Sequence, residues 1–228
     1  LRHVAFPFFP QPTEVRAVLF DLDGTLIDTA PDMTASLNHI LKEEGLDPLT
    51  LDVVRPHVSR GGLAMTKLAF EKHRPEEEIE SLRLRFLDYY LHNIADHSTL
   101  FEGFETVLHT FDQQSILWGV VTNKPGWLTD PLMSALKLDH RSAVTISGDT
   151  TAERKPHPLP LLTAAKIIGI DPQQFLYVGD DPRDITAGNA ANMTTVIAKY
   201  GYISQDANLK SWMADQVIDH PEQILKLL

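Results

Sequence analysis

The sequence predicts an α/β protein: a doubly wound parallel β-sheet with an α-helical subdomain inserted after its first strand. Three observations carry that expectation. Short β-rich runs recur along the 228 residues, they are apolar almost throughout, and most are separated by helical patterns. By contrast, the stretch from about Pro31 to His97 holds helical patterns and no convincing strand.

The strand candidates are Val15 to Phe20, Leu117 to Val121, Ala143 to Ile146, Phe175 to Val178, Thr194 to Ala198 and Gln216 to Ile218. A strand covered on both faces has no polar side, so near-continuous apolar runs point to a parallel sheet. Phe104, Val107, Leu108 and Phe111 mark a helix between the first two core strands; Leu128 to Leu136, Leu159 to Ile168 and Ile185 to Ala191 follow. Alternation of the two patterns implies a doubly wound sheet, and Gly169 is placed as a helix stop. In the helical stretch the longest pattern is EEEIESLRLRFLDYYLHNIADH, with Ile79, Leu82, Phe86, Leu87, Tyr90 and Ile94 at helical spacing. Thr29 followed by Pro31 signals where the insertion begins, and it ends near Ser98 to Gly103. The expected division is therefore a core of residues 1–29 and 98–228 with a cap of residues 30–97. The opening LRHVAFPFFPQPTEV reads as a loose arm, because Pro7, Pro10 and Pro12 break an apolar patch too short for a membrane span.

Composition bounds the partners. A formal net charge of -11 would repel nucleic acid and anionic membranes, so neither is expected, while a small anionic substrate needs cations gathered locally. The chain has no cysteine, which removes disulfides and thiolate chemistry and fits a cytoplasmic location.

The chemistry is concentrated in a few short stretches. FDLDGTLIDTAPD, from Phe20 to Asp32, puts Asp21, Asp23 and Asp28 at the end of a buried strand, where carboxylates repel one another unless a cation sits among them. Open parallel sheets bind ligands beyond the carboxyl ends of their strands. Those ends carry Asp21 and Asp23, then Thr122, Asn123 and Lys124 in VVTNKP, then Lys155 in ERKPHP, then Asp180, Asp181 and Asp184 in VGDDPRD. Together they supply a nucleophile, a hydroxyl, an ammonium and a carboxylate cage for a metal.

This ordered set resembles the haloacid dehalogenase (HAD) superfamily, whose phosphatases carry DxDGT, a Ser or Thr ending a strand, a Lys, and GDxxxD. The resemblance covers nearly the whole chain and implies a Rossmann-like core beneath an α-helical cap. It implies that Asp21 takes the phosphoryl group and that Asp23 is the general acid and base. It further implies that Thr122 and Lys155 hold the phosphoryl oxygens and that Mg²⁺ is ligated by Asp21, the backbone carbonyl of Asp23 and Asp180; Asn123, beside Thr122, can donate its backbone N–H or its side chain to the phosphoryl group. Asp184 looks like an outer metal partner. The insertion, TNKP and VGDDPRDI are similar to the phosphoglycolate phosphatase-like branch. RPHVSRGG, RSAVTISGD and KYGYI look like relatives that act on N-acetylmuramic acid 6-phosphate. The implied substrate is a small phosphorylated metabolite, 2-phosphoglycolate or N-acetylmuramic acid 6-phosphate.

Elementary chemistry weighs the alternatives within the resemblance. Halide leaves without a proton, so a dehalogenase has no use for an acid at Asp23. A phosphonatase needs a cap lysine for a Schiff base, and Lys42, Lys67 and Lys72 sit in ordinary helical patterns. A sugar phosphomutase shares the core chemistry and stays open; a non-catalytic binding protein would have no need to keep the full set. Both implied substrates bear a carboxylate, and Arg60, with Arg55 as the weaker candidate, offers a guanidinium fork to it from the cap. Asp181 is expected at the surface, Asp28 as a cap for the first inserted helix, and His157 as exposed. Lys124 is either solvated or a source of positive potential. Trp118, Trp127, Trp212, Tyr89 and Tyr90 are read as packing residues.

Overall fold

The structure, a computed structural model, describes residues 14–228; the arm expected over residues 1–13 lies outside them. The first strand, β1 (Ala17–Phe20), is followed by a two-residue strand β2 (Ile27–Asp28) and four helices, α1 (Ala30–Glu43), α2 (Leu51–Val54), α3 (Gly62–Phe70) and α4 (Glu76–His92), with a 3₁₀ segment Arg55–Arg60 between α2 and α3. A second short strand, β3 (Thr99–Leu100), returns antiparallel to β2. Then α5 (Phe104–Gln114), β4 (Leu117–Val121), α6 (Gly126–Ala135), β5 (Val144–Ile146), α7 (Leu159–Ile168), β6 (Phe175–Gly179), α8 (Pro182–Ala190), β7 (Thr194–Ala198) and β8 (Gln216–Ile218) alternate as expected. The six long strands form one parallel sheet in the order β5-β4-β1-β6-β7-β8.

The apolar runs are continuous because each sheet face has its own core. Val18 and Phe20 pack into one cluster and their neighbours Ala17 and Leu19 into the other, the period of two that a pleated strand imposes. Phe20 meets Phe104 edge to face with ring centroids 5.3 Å apart, which seats α5 on the sheet.

The pair β2 and β3 is the one extended feature that the sequence reading missed, since two-residue strands show no periodicity. It lies where the chain leaves the sheet for the inserted helices and returns. Asp32 in the first turn of α1 ties the two passages together: its buried carboxylate accepts the Ser98 hydroxyl at 2.6 Å and the backbone N–H groups of His97 and Ser98.

Candidate active site

Chain order and strand order together build the site. From β1 the chain places β4 and β5 on one side and β6, β7 and β8 on the other, so the crevice opens at the carboxyl end of β1, between β4 and β6. Asp21, Thr122 and Asp180 leave those three strands side by side. All three are buried.

Lys155 holds the centre. Its ammonium lies 2.8 Å from Asp21 Oδ1 and 2.7 Å from Asp184 Oδ1, and it donates to the Val121 carbonyl and the Tyr177 hydroxyl. Burial alone would push a lysine pKa down; the two carboxylates more than offset this, and the Lys155 pKa is raised. Asp21 Oδ1 also accepts the Leu22 N–H at 2.7 Å, whereas Oδ2 takes no hydrogen bond among the described residues. Desolvation pushes the Asp21 carboxyl up to about 7, with Lys155 opposing and Asp184 reinforcing the rise.

Asp180 completes a cluster with Asp21 and Asp184 in which one oxygen from each lies within 4.8 Å of the others. Its carboxylate accepts Thr25 Oγ1 at 3.0 Å and the Tyr202 N–H at 2.8 Å, with Ser59 Oγ at 3.4 Å, but it has no cationic partner among the described residues. Burial and the two neighbouring carboxylates hold its pKa well above the usual range. Three buried carboxylates and one ammonium leave a negative site of oxygen donors, which suits a hard divalent cation such as Mg²⁺. Gly24 lets this cage close: its φ of 84° is left-handed, and a Cβ there would fall onto the Asp180 carboxylate and the Tyr202 ring.

Asp23 points to the same cavity and is held by Thr29 Oγ1 at 2.6 Å and the Lys124 ammonium at 3.0 Å. Lys124 is buried, and it also donates to the Tyr90 hydroxyl of α4 at 3.2 Å. It is therefore not solvated, and Tyr90, read as packing, both packs and binds. Thr122 Oγ1 accepts the Lys124 N–H at 3.1 Å, which leaves its own proton free to donate. The Asn123 side chain donates to the Lys155 carbonyl at 2.9 Å, while its Oδ1 is buried without a partner among the described residues.

Several other expectations need correction. Asp28 does not cap α1; it forms a bidentate pair with Arg55 at 2.9 and 3.0 Å and accepts the Tyr202 hydroxyl, which in turn accepts the Ala30 N–H. Arg55 is thereby engaged and drops out as a substrate ligand. Asp181 is half-buried rather than a bare surface residue: it caps α8 by accepting the Arg183 N–H and clasps the Arg183 guanidinium. Asp184 returns the capping bond, accepting the Asp181 N–H at 3.0 Å while it pairs with Lys155. Trp118 is core, but Trp127 is half-exposed and lines the cavity, as does the exposed Arg60. His157 is exposed as expected.

Sequence reading missed the ties between inserted helices and sheet. Arg183 donates to the Ser59 carbonyl, and the KYGYI segment supplies Tyr202 to Asp180 and Asp28 and Tyr200 to the Thr25 carbonyl. The cavity over the site, about 680 Å³, is lined from both sides of these ties.

Known proteins are similar to this chain in sequence and fold. Residues 18–198 match the family model for haloacid dehalogenase-like hydrolases. A phosphoglycolate phosphatase of Xanthomonas campestris is 48% identical over 92% of this chain and 94% of its own. An N-acetylmuramic acid 6-phosphate phosphatase of Pseudomonas putida is 44% identical over 94% and 96%. The crystal structure of a predicted phosphoglycolate phosphatase from Haemophilus somnus superposes with a TM-score of 0.82 at 29% identity, covering 93% of this chain and 97% of that one. With a matching family model over most of its length and relatives this similar along nearly all of it, the chain belongs to the haloacid dehalogenase-like hydrolases.

Proposed function

We propose that this protein hydrolyses a small phosphate monoester by passing the phosphoryl group to Asp21, with residues 30–97 acting as a cap over the core. The observation that carries the reading is Lys155, buried between Asp21 and Asp184 with Asp180 alongside. On this reading Asp21 is the nucleophile, Lys155 a fixed positive charge beside it, and the three carboxylates a cage for a cation.

In the first step Asp21 Oδ2 attacks phosphorus, the bond to the leaving oxygen breaks, and Asp23 gives that oxygen a proton. Asp23 can serve because side chains two apart at a strand end share a face. In the second step Asp23 takes a proton from water, whose oxygen attacks phosphorus and returns Asp21 to its carboxylate. Thr122 Oγ1, the Asn123 N–H and Lys155 would hold the phosphoryl oxygens. Asp21, the Asp23 backbone carbonyl and Asp180 would hold Mg²⁺, with Asp184 behind them. When bound, the ion lowers the repulsion between nucleophile and phosphate. The relatives point to 2-phosphoglycolate or N-acetylmuramic acid 6-phosphate as the ester. No described helix is long and apolar enough to cross a membrane.

The test is phosphate release by the purified protein with Mg²⁺ across a panel of phosphorylated acids and sugars; no release from any of them would end this reading. The adjacent carboxylates give a sharper comparison. Asp180→Ala should weaken Mg²⁺ activation and lower kcat roughly a hundredfold or more, whereas Asp181→Ala should cost a helix cap, about 1 kcal/mol of stability, and much less activity. Equal losses of activity would place the metal wrongly.

A further inference from the structure

The cavity has a part that phosphoryl chemistry leaves unused. At about 680 Å³ it falls among pockets that enclose ligands of many atoms, and a two-carbon leaving group would fill little of it. Two large apolar side chains left exposed by the fold, Leu84 at 56% and Trp127 at 47%, both line it, one from α4 and the other from the first turn of α6. Trp127 thus presents an apolar face to the cavity rather than to the core. Two guanidiniums that line the cavity, Arg60 and Arg154, form no ion pair among the described residues, whereas Arg83 and Arg183 are clasped by Glu80 and Asp181. The cavity therefore combines an apolar wall with unspent positive charge.

We propose that Trp127 and Leu84 form a subsite gripping the ring of a cyclic leaving group, so that the preferred substrate is a phosphorylated sugar with an acidic arm. The C–H face of a pyranose is apolar and packs flat on an indole, while its rim of hydroxyls stays wet. Arg60 reads the carboxylate of the arm through a charge-assisted pair. This assignment rests on the phosphatase reading and adds a choice between its two candidate esters. A two-carbon acid would leave Trp127 and Leu84 uncovered.

Three esters separate ring from carboxylate: N-acetylmuramic acid 6-phosphate has both, N-acetylglucosamine 6-phosphate the ring alone, and 2-phosphoglycolate the carboxylate alone. Trp127→Ala should lower the ratio of kcat/KM for either ring-bearing ester to that for 2-phosphoglycolate by about tenfold, and Trp127→Phe should recover most of it. Arg60→Ala should lower the ratio of kcat/KM for N-acetylmuramic acid 6-phosphate to that for N-acetylglucosamine 6-phosphate by roughly ten- to a hundredfold. Binding decides the matter apart from turnover: calorimetry with Mg²⁺ on the Asp21→Asn protein should show N-acetylmuramic acid 6-phosphate binding about tenfold more weakly once Trp127→Ala is added. An unchanged Kd, or an equal kcat/KM loss on all three esters, would overturn the subsite. Absence of phosphate release from every ester would instead sink the phosphatase reading.

Discussion

Asp21→Asn should reduce turnover by at least a thousandfold while leaving the protein folded. The amide is nearly isosteric with the carboxylate but cannot attack phosphorus, and loss of a covalent nucleophile removes the pathway rather than one contact within it. The fold should tolerate the change because Asp21 is one of three buried, mutually repelling carboxylates and is pushed up to about 7 in the metal-free protein. Lys155 keeps Asp184 as its partner after the substitution. Metal-free Asp21→Asn should therefore melt no lower than metal-free wild type near neutral pH. A lower melting point together with lost activity would mean that Asp21 supports the fold, and the kinetic loss would then say nothing about chemistry.

Removing divalent cations should silence the enzyme and also change how its stability responds to pH. Asp21 holds its proton more tightly folded, at about 7, than at its ordinary value of 3.8, and Asp180 shifts the same way. An acid with a raised folded pKa contributes least to stability once both states are ionised. Stability of the metal-free protein should thus fall as pH rises from about 4 through about 7. Mg²⁺ binds the ionised cluster and opposes this loss, so it should raise the melting temperature by roughly 5 °C or more at pH 7.5 and by much less at pH 5. Melting curves at the two pH values, with chelator and with Mg²⁺, check this. A Mg²⁺ effect equal at both, or larger at pH 5, would place the ion away from these carboxylates. Excess Ca²⁺ should inhibit, since its larger shell accepts more oxygens and draws in both those of Asp21.

How far the sequence could be read depended on the span of each interaction. The strand-end motifs were legible because each is contiguous: a near-continuous apolar run stops, and the next residue carries a carboxylate, a hydroxyl or a glycine turn. Parallel strands put Asp21, Thr122 and Asp180 at one edge of the sheet, and the order β4-β1-β6 makes them neighbours. Asp28 was misread for the opposite reason. Locally it precedes a helix and looks like its cap; its actual partners are Arg55 and Tyr202, the latter 174 residues away. Ser59 with Asp180, and Arg183 with Ser59, are likewise separated by 121 and 124 residues. Trp127 reads as a packing residue because an aromatic at a helix start shows no face until the helix is placed, and only then does it line the cavity.

The central claim is that phosphate leaves its ester by way of Asp21, and acid quenching during turnover tests it most directly. The Asp23→Asn protein lacks both the acid of the first step and the base of the second, so it should accumulate the intermediate when mixed with Mg²⁺ and p-nitrophenyl phosphate, whose leaving group departs without a proton. Digestion and mass spectrometry should then find a peptide containing Asp21 heavier by one phosphoryl group, with none on the same peptide from Asp21→Asn. Phosphate release with no acid-stable label on that peptide at any quench time, or a label on a different residue, would contradict the account.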